Sequence, residues 1–235
     1  DCGDEYDNRK SCYYQYSMAI GDGHREADAP DNPYDFLSSL KVDRLYPQGS
    51  HFSYSGVNNF VLMWIAEELT QRSFADIFSS LFWRRIGAEA DAGFLAYRYG
   101  IPLSHGGFFY NIRDLARLGV LYNPSFGVVS DEKIITDEHL ELLGSDGRSH
   151  LLGNVGVKVA GTPDAPELAI RHNIYQWGGV YTNGALTHGG WGGQGLIVNP
   201  KHDTVAVFTA YFKEDGSEVQ LEPLMLALLE DVFGR

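Results

Sequence analysis

His188-Gly189-Gly190-Trp191-Gly192-Gly193-Gln194-Gly195 runs straight into the apolar triplet Leu196-Ile197-Val198 and then into Asn199-Pro200. Four glycines flank one tryptophan, just ahead of a stretch with strand character. Backbone this bare can lie close to another molecule and offer its N–H groups, because no Cβ stands in the way. The same string also reads as a tight β-hairpin whose glycines only supply positive φ. The surrounding sequence has to decide between the two.

Around this run the pattern is that of strands. β-character covers 174–181, 193–198 and 204–212, the last two joined by Asn199-Pro200-Lys201-His202-Asp203 in a hairpin-like connection. An amphipathic helix follows at about 219–233, with Leu221, Leu224, Met225, Leu228, Leu229 and Val232 expected to face inward. Upstream the rhythm changes to 3.6 residues. A helix is expected over 57–71, and Ser73 reads as the cap of another over 74–85, closed by Ile86-Gly87. Asn111 and Thr136 are expected to cap helices at 112–121 and 137–143, and 34–40 suits a short helix. Residues 1–50 are otherwise polar and turn-rich, 51–150 mostly helical, and 174–235 sheet plus terminal helix. Helices first, an antiparallel sheet next and a packed terminal helix make an α+β fold, an antiparallel β-sheet flanked by helices.

The chain has 235 residues, 44% of them hydrophobic and 21% charged, which suits a globular protein able to bury a substantial core. Its net charge of −13 argues against nucleic acid and anionic lipid as partners. The longest apolar stretches, 60–66 and 205–210, are too short to span a bilayer. Cys2 and Cys12, the two cysteines, suit a disulfide in an exported protein or free thiols in a cytosolic one, with a lean towards a periplasmic or secreted setting. The start at Asp1 without an initiator Met suggests a processed or truncated product.

Several chemistries lack their motif. The sequence has no G-x-S-x-G, no H-E-x-x-H and no P-loop, and its eight histidines show no paired metal spacing, so no metal or cofactor is expected. Three features remain, in a fixed order. Tyr54-Ser55-Gly56 follows Pro47-Gln48-Gly49 and precedes the 57–71 helix, where a tyrosine can move protons to and from a serine or a leaving group. Ser104-His105-Gly106-Gly107 precedes Asn111-Ile112-Arg113-Asp114-Leu115-Ala116-Arg117-Leu118-Gly119, and the His188 run comes last.

With those motifs in that order, the chain resembles the serine β-lactamase and penicillin-binding-protein superfamily over nearly its whole length. The likeness is strongest to the class C-like branch of esterases, D-amino-acid peptidases and 6-aminohexanoate-dimer hydrolases. The resemblance implies a β-lactamase/transpeptidase-like fold, with 1–235 as the C-terminal portion of a single domain. It implies Tyr54 as the proton-transfer tyrosine and the Trp191 N–H as an oxyanion-hole donor. His188, Gly189 and Gly190 would edge the strand along which substrate lies. Tyr6, after Asp4-Glu5, would contact the leaving amine, and His105 and Trp177 would sit near the pocket rim.

The family's nucleophile belongs to a Ser-x-x-Lys upstream of the tyrosine motif. Ser38-Ser39-Leu40-Lys41 is only sixteen residues before Tyr54, and Ser130-Asp131-Glu132-Lys133 comes after it. The expectation is therefore that the segment bearing Ser-x-x-Lys is missing from this chain and acts as its partner. Gly56 and Gly189 also depart from the family's usual Asn/Ser and Thr, which favours an ester or small amide over a β-lactam as substrate. The leading reading is a serine hydrolase working through an acyl-enzyme, with its nucleophile outside this chain. A catalytically inactive protein binding peptide-like ligands, a true β-lactamase or DD-peptidase, and a rearranged site using Ser38 and Lys41 stay open beside it.

Overall fold

The computed structural model describes residues 2, 7–41, 46–96, 98–154, 168–190, 192–211 and 221–234. The chain forms two units, Asp1–Leu81 with Ala92–Phe109, and Phe82–Asp91 with Tyr110–Arg235.

The first unit is built on helices. Ser11 opens α1 (Cys12–Ile20) by accepting the Tyr14 N–H, and Gly21 closes it at φ 100°. Asn32 caps α2 (Pro33–Ser39), whose first position is a proline, a residue with no N–H to leave unpaired. Then come α3 (Gly56–Thr70) and α4 (Phe74–Leu81). Ser73 caps α4 as expected, accepting the Asp76 N–H while its hydroxyl donates to the Asp76 carboxylate. Glu67 ties three helices together, taking the Tyr34 hydroxyl at 2.6 Å on one oxygen and the Phe74 N–H at 2.9 Å on the other. Tyr13, Tyr16, Ile20, Val57, Phe60 and Met63 form the core. Phe74 and Phe78 also pack against the short ladder of β1 (Gly93–Phe94) and β2 (Phe108–Phe109). The helix expected over 74–85 stops at Leu81, because Phe82 leaves helical dihedrals at φ −133°, ψ −71°, and Trp83–Arg85 make a separate 3₁₀ turn.

The second unit holds α5 (Ile112–Val120), α6 (Asp137–Ser145) and an antiparallel sheet of five strands. These are β3 (Ile170–Ile174), β4 (Trp177–Tyr181), β5 (Leu186–Gly189), β6 (Gly195–Asn199) and β7 (Thr204–Phe208), each paired with the next in sequence, and α7 (Leu221–Phe233) follows them. Asn111 and Thr136 cap α5 and α6 as expected. Leu196 and Val198 of β6 turn towards Leu115 and Leu118 of α5, while Ile197 between them turns towards Leu226 of α7. That alternation makes three layers with the sheet in the middle. Gly119 lets α5 settle on the sheet, since a Cβ there would lie 2.7 Å from Val205.

Two expectations change here. Residues 174–181 are not one strand: β3 and β4 form a hairpin that turns at Tyr175 and Gln176, at φ 45° and 69°. On α7 the buried side is Met225, Leu226 and Leu229, whereas Leu224, Leu228 and Val232 are exposed. The α+β class itself holds. Cys2 and Cys12 are joined in a disulfide, so of the two states open to them the bonded one is observed. Among the described residues no helix is long and apolar enough to cross a membrane.

Candidate active site

Tyr54 sits on extended chain just before α3. Upstream, the Ser50 N–H and hydroxyl both bond to the Pro47 carbonyl, and the Tyr46 and His51 rings stack at 3.9 Å. The Tyr54 ring is 62% exposed, and its hydroxyl bonds to none of the described residues. Next to it Ser55 occupies the cap position of α3 without making a side-chain cap bond, and its buried hydroxyl has no partner among the described residues.

His105 belongs to the same unit but is less accessible than a rim residue. Its side chain is 9% exposed and lies against Gly56, where a Cβ would come within 2.8 Å of the ring. The Asp22 carboxylate faces Nε2 at 3.2 Å and can only accept, so Nε2 carries the proton and Nδ1 accepts the Tyr16 hydroxyl at 3.2 Å. Asp22 also takes the Ser17 hydroxyl at 2.5 Å. Burial first, then Asp22, pushes the Tyr16 hydroxyl far above the usual tyrosine range, which keeps it a donor.

In the second unit His188 is exposed at the end of β5. Its Nδ1 lies 2.6 Å from the Gln176 carbonyl in the β3–β4 turn. A carbonyl only accepts, so Nδ1 is the donor in this bond. Gly189 pairs with Gly195 across β5 and β6, and a Cβ on Gly189 would meet nothing closer than 3.9 Å. Among the described residues nothing at this position demands glycine. Gly195 is demanded, since its missing side chain makes way for the Phe208 ring.

Trp177 is a correction. It is 6% exposed and packs edge-on against Tyr122 at 5.0 Å, because strand alternation on β4 turns it into the core rather than towards a rim. Tyr6 and Trp191 lie outside the described residues.

In neither short Ser-x-x-Lys string is a serine–lysine hydrogen bond seen among the described residues. The Ser38 hydroxyl donates back to the Asp35 carbonyl. Ser130 accepts the Glu132 N–H, while Lys133 pairs with Asp137. The Asn111–Gly119 motif has a structural task that its residue types did not announce. Fully buried Asp114 accepts the N–H groups of Glu89 and Ala90 at 2.8 and 3.2 Å and pairs with Arg117, which also holds Glu89. Sequence reasoning missed the Asp22–His105–Tyr16 chain and the Gln194 side chain within the glycine loop. Gln194 stood in the quoted string, but only its neighbours' missing side chains reveal its place. Among the described residues no group of His, Cys, Asp and Glu is gathered as a metal site.

The family model described as Beta-lactamase matches residues 14–229. The 6-aminohexanoate-dimer hydrolase of Paenarthrobacter ureafaciens is 25% identical over 207 residues, 88% of this chain and 50% of that protein. A Bacillus anthracis structure assigned as a 6-aminohexanoate-dimer hydrolase superposes with a TM-score of 0.68 at 24% identity, over 93% of this chain and 54% of that one. EstCE1, a hydrolase with promiscuous acyltransferase activity, superposes at 0.56 and 15% identity, over 86% of this chain and 61% of that one, a likeness of fold. The chain thus spans about half the length of the curated relative it matches.

Proposed function

From this chain's place in the beta-lactamase family, to which it belongs, we propose that it is the C-terminal portion of a serine hydrolase domain. The hydrolase acts on an ester or small amide through an acyl-enzyme, and its nucleophile lies outside this chain. The observation that carries the reading is Tyr54, exposed on the extended chain entering α3 with its hydroxyl uncommitted among the described residues. A hydroxyl held at a helix entrance and open to solvent is suited to pass a proton between a serine and a leaving group. The commitment of Ser38, Ser130 and Lys133 to other partners supports a nucleophile supplied from elsewhere.

The remaining roles follow the family's pattern. The Trp191 N–H stabilises the oxyanion, and His188, Gly189 and Gly190 edge the bound substrate. Tyr6 meets the leaving amine. Cys2–Cys12 agrees with a periplasmic or secreted setting, where such a bond persists.

The test is covalent labelling. A fluorophosphonate is incubated with the protein expressed from its full reading frame, and the labelled serine is found by peptide mass spectrometry. Labelling of a Ser-x-x-Lys serine outside residues 1–235, slowed at least about a hundredfold by Tyr54→Phe, is the expected result. No labelled serine, or labelling of Ser38, overturns the reading. The first outcome would favour an inactive binding protein and the second a rearranged site.

A further inference from the structure

We infer that Gln194 is a positioning residue, a clasp that folds inside the glycine loop and fixes the backbone of residues 190 and 192–194. The inference rests on the oxyanion role proposed above. The loop's backbone is tied at both ends: the Gly190 N–H donates to the Gln194 carbonyl at 2.8 Å, and the Gly193 N–H donates to the Gly190 carbonyl at 3.0 Å. The Gln194 side chain then turns back under the loop, where its Oε1 accepts the Gly192 N–H at 3.1 Å. The glycines on either side of 191 leave room for it. A Cβ on Gly190 would lie 2.5 Å from Gln194 Oε1, and a Cβ on Gly192 would lie 2.8 Å from Nε2.

Two consequences follow. Glycine at 190 and 192 makes space for an amide of this chain, whereas the bareness of the loop had suggested an approaching ligand. The N–H groups of Gly190, Gly192 and Gly193 are also all spent within the loop, so none of them competes to be the oxyanion donor. A donor aimed at developing charge works only if its backbone is held before the reaction begins, and the clasp supplies that rigidity. Gln194 touches neither nucleophile nor oxyanion in this scheme; it acts through the backbone.

The test compares Gln194→Leu, which fills the space without an acceptor, with Gln194→Glu, which keeps an oxygen for the Gly192 N–H. Gln194→Ala adds no bulk and stands in for the leucine variant should that one not fold. Two readouts are taken on protein from the full reading frame: hydrogen exchange of the Gly192 amide by NMR, and p-nitrophenyl acetate turnover. The leucine and alanine variants should exchange Gly192 at least about tenfold faster and lose at least about tenfold in kcat, with KM within about twofold. The glutamate variant should stay near the unsubstituted protein in both. A slow Gly192 amide in the leucine and alanine variants overturns the clasp, and an unchanged kcat with a fast amide overturns its catalytic role. An unsubstituted protein without ester turnover overturns the hydrolase reading and that role with it, while the exchange data still decide the clasp.

Discussion

Glu89 shows how much a single exposed carboxylate can be asked to hold. Its two oxygens meet Arg117 at 2.7 Å and Arg113 at 2.8 Å, and the Arg117 hydrogen bond, with both guanidinium charges, holds its pKa below the usual carboxylate range. Because the folded value lies below the unfolded one, the contribution is complete above the ordinary carboxylate range. It is withdrawn as pH falls through the lowered value. Glu89→Gln should therefore be less stable than the parent near neutrality, and urea titrations at successively lower pH should show the gap closing. A gap constant down to the most acidic measurable pH would contradict this linkage. The neighbouring motif was legible as a string, but not as a device: Asp114 earns its place by satisfying two N–H groups some 24 residues upstream, and no local pattern reports such a partner. Gly195 and Gly189 look alike in sequence, yet among the described residues Gly195 alone of the two is demanded by packing, against Phe208.

Among the elements, caps were the easiest feature to foresee and faces the hardest. Ser73, Asn111 and Thr136 act within three residues of themselves, so the sequence contains everything the bond needs. The β3–β4 hairpin was hidden because its turn uses Tyr175 and Gln176 at positive φ, where glycine or asparagine is the usual sign. On α7 leucines surround much of the helix, and periodicity alone picks no unique inner stripe. The sheet makes the choice, taking Leu226 against Ile197 and leaving Leu224 and Leu228 in solvent. Leu226→Ala should cost about 2–5 kcal/mol in chemical denaturation. Leu224→Ala and Leu228→Ala should each stay within about 0.5 kcal/mol. Equal losses at all three positions would mean that the outer stripe of α7 is covered in solution.

At the scale of the whole molecule, fold class and family could be read from the order of three motifs, because each marks the junction of two elements. The site was legible only in part. Tyr54 and His188 are exposed, while Trp177 is core and His105 is built into a buried chain with Asp22 and Tyr16. Those outcomes depend on neighbours distant in sequence. The Cys2–Cys12 bond, by contrast, joins residues ten apart. Closing so short a loop stabilises by about 2–3 kcal/mol in the chain-entropy account. Mild reduction should lower denaturation stability by that amount, and an unchanged midpoint would show that the ring carries no stability. Since its partners are only ten residues apart, the ring needs nothing from the remaining chain in order to close. Oxidation can therefore precede folding, and chains made in reducing and oxidising surroundings enter folding as covalently different molecules, one linear and one already looped around position 6.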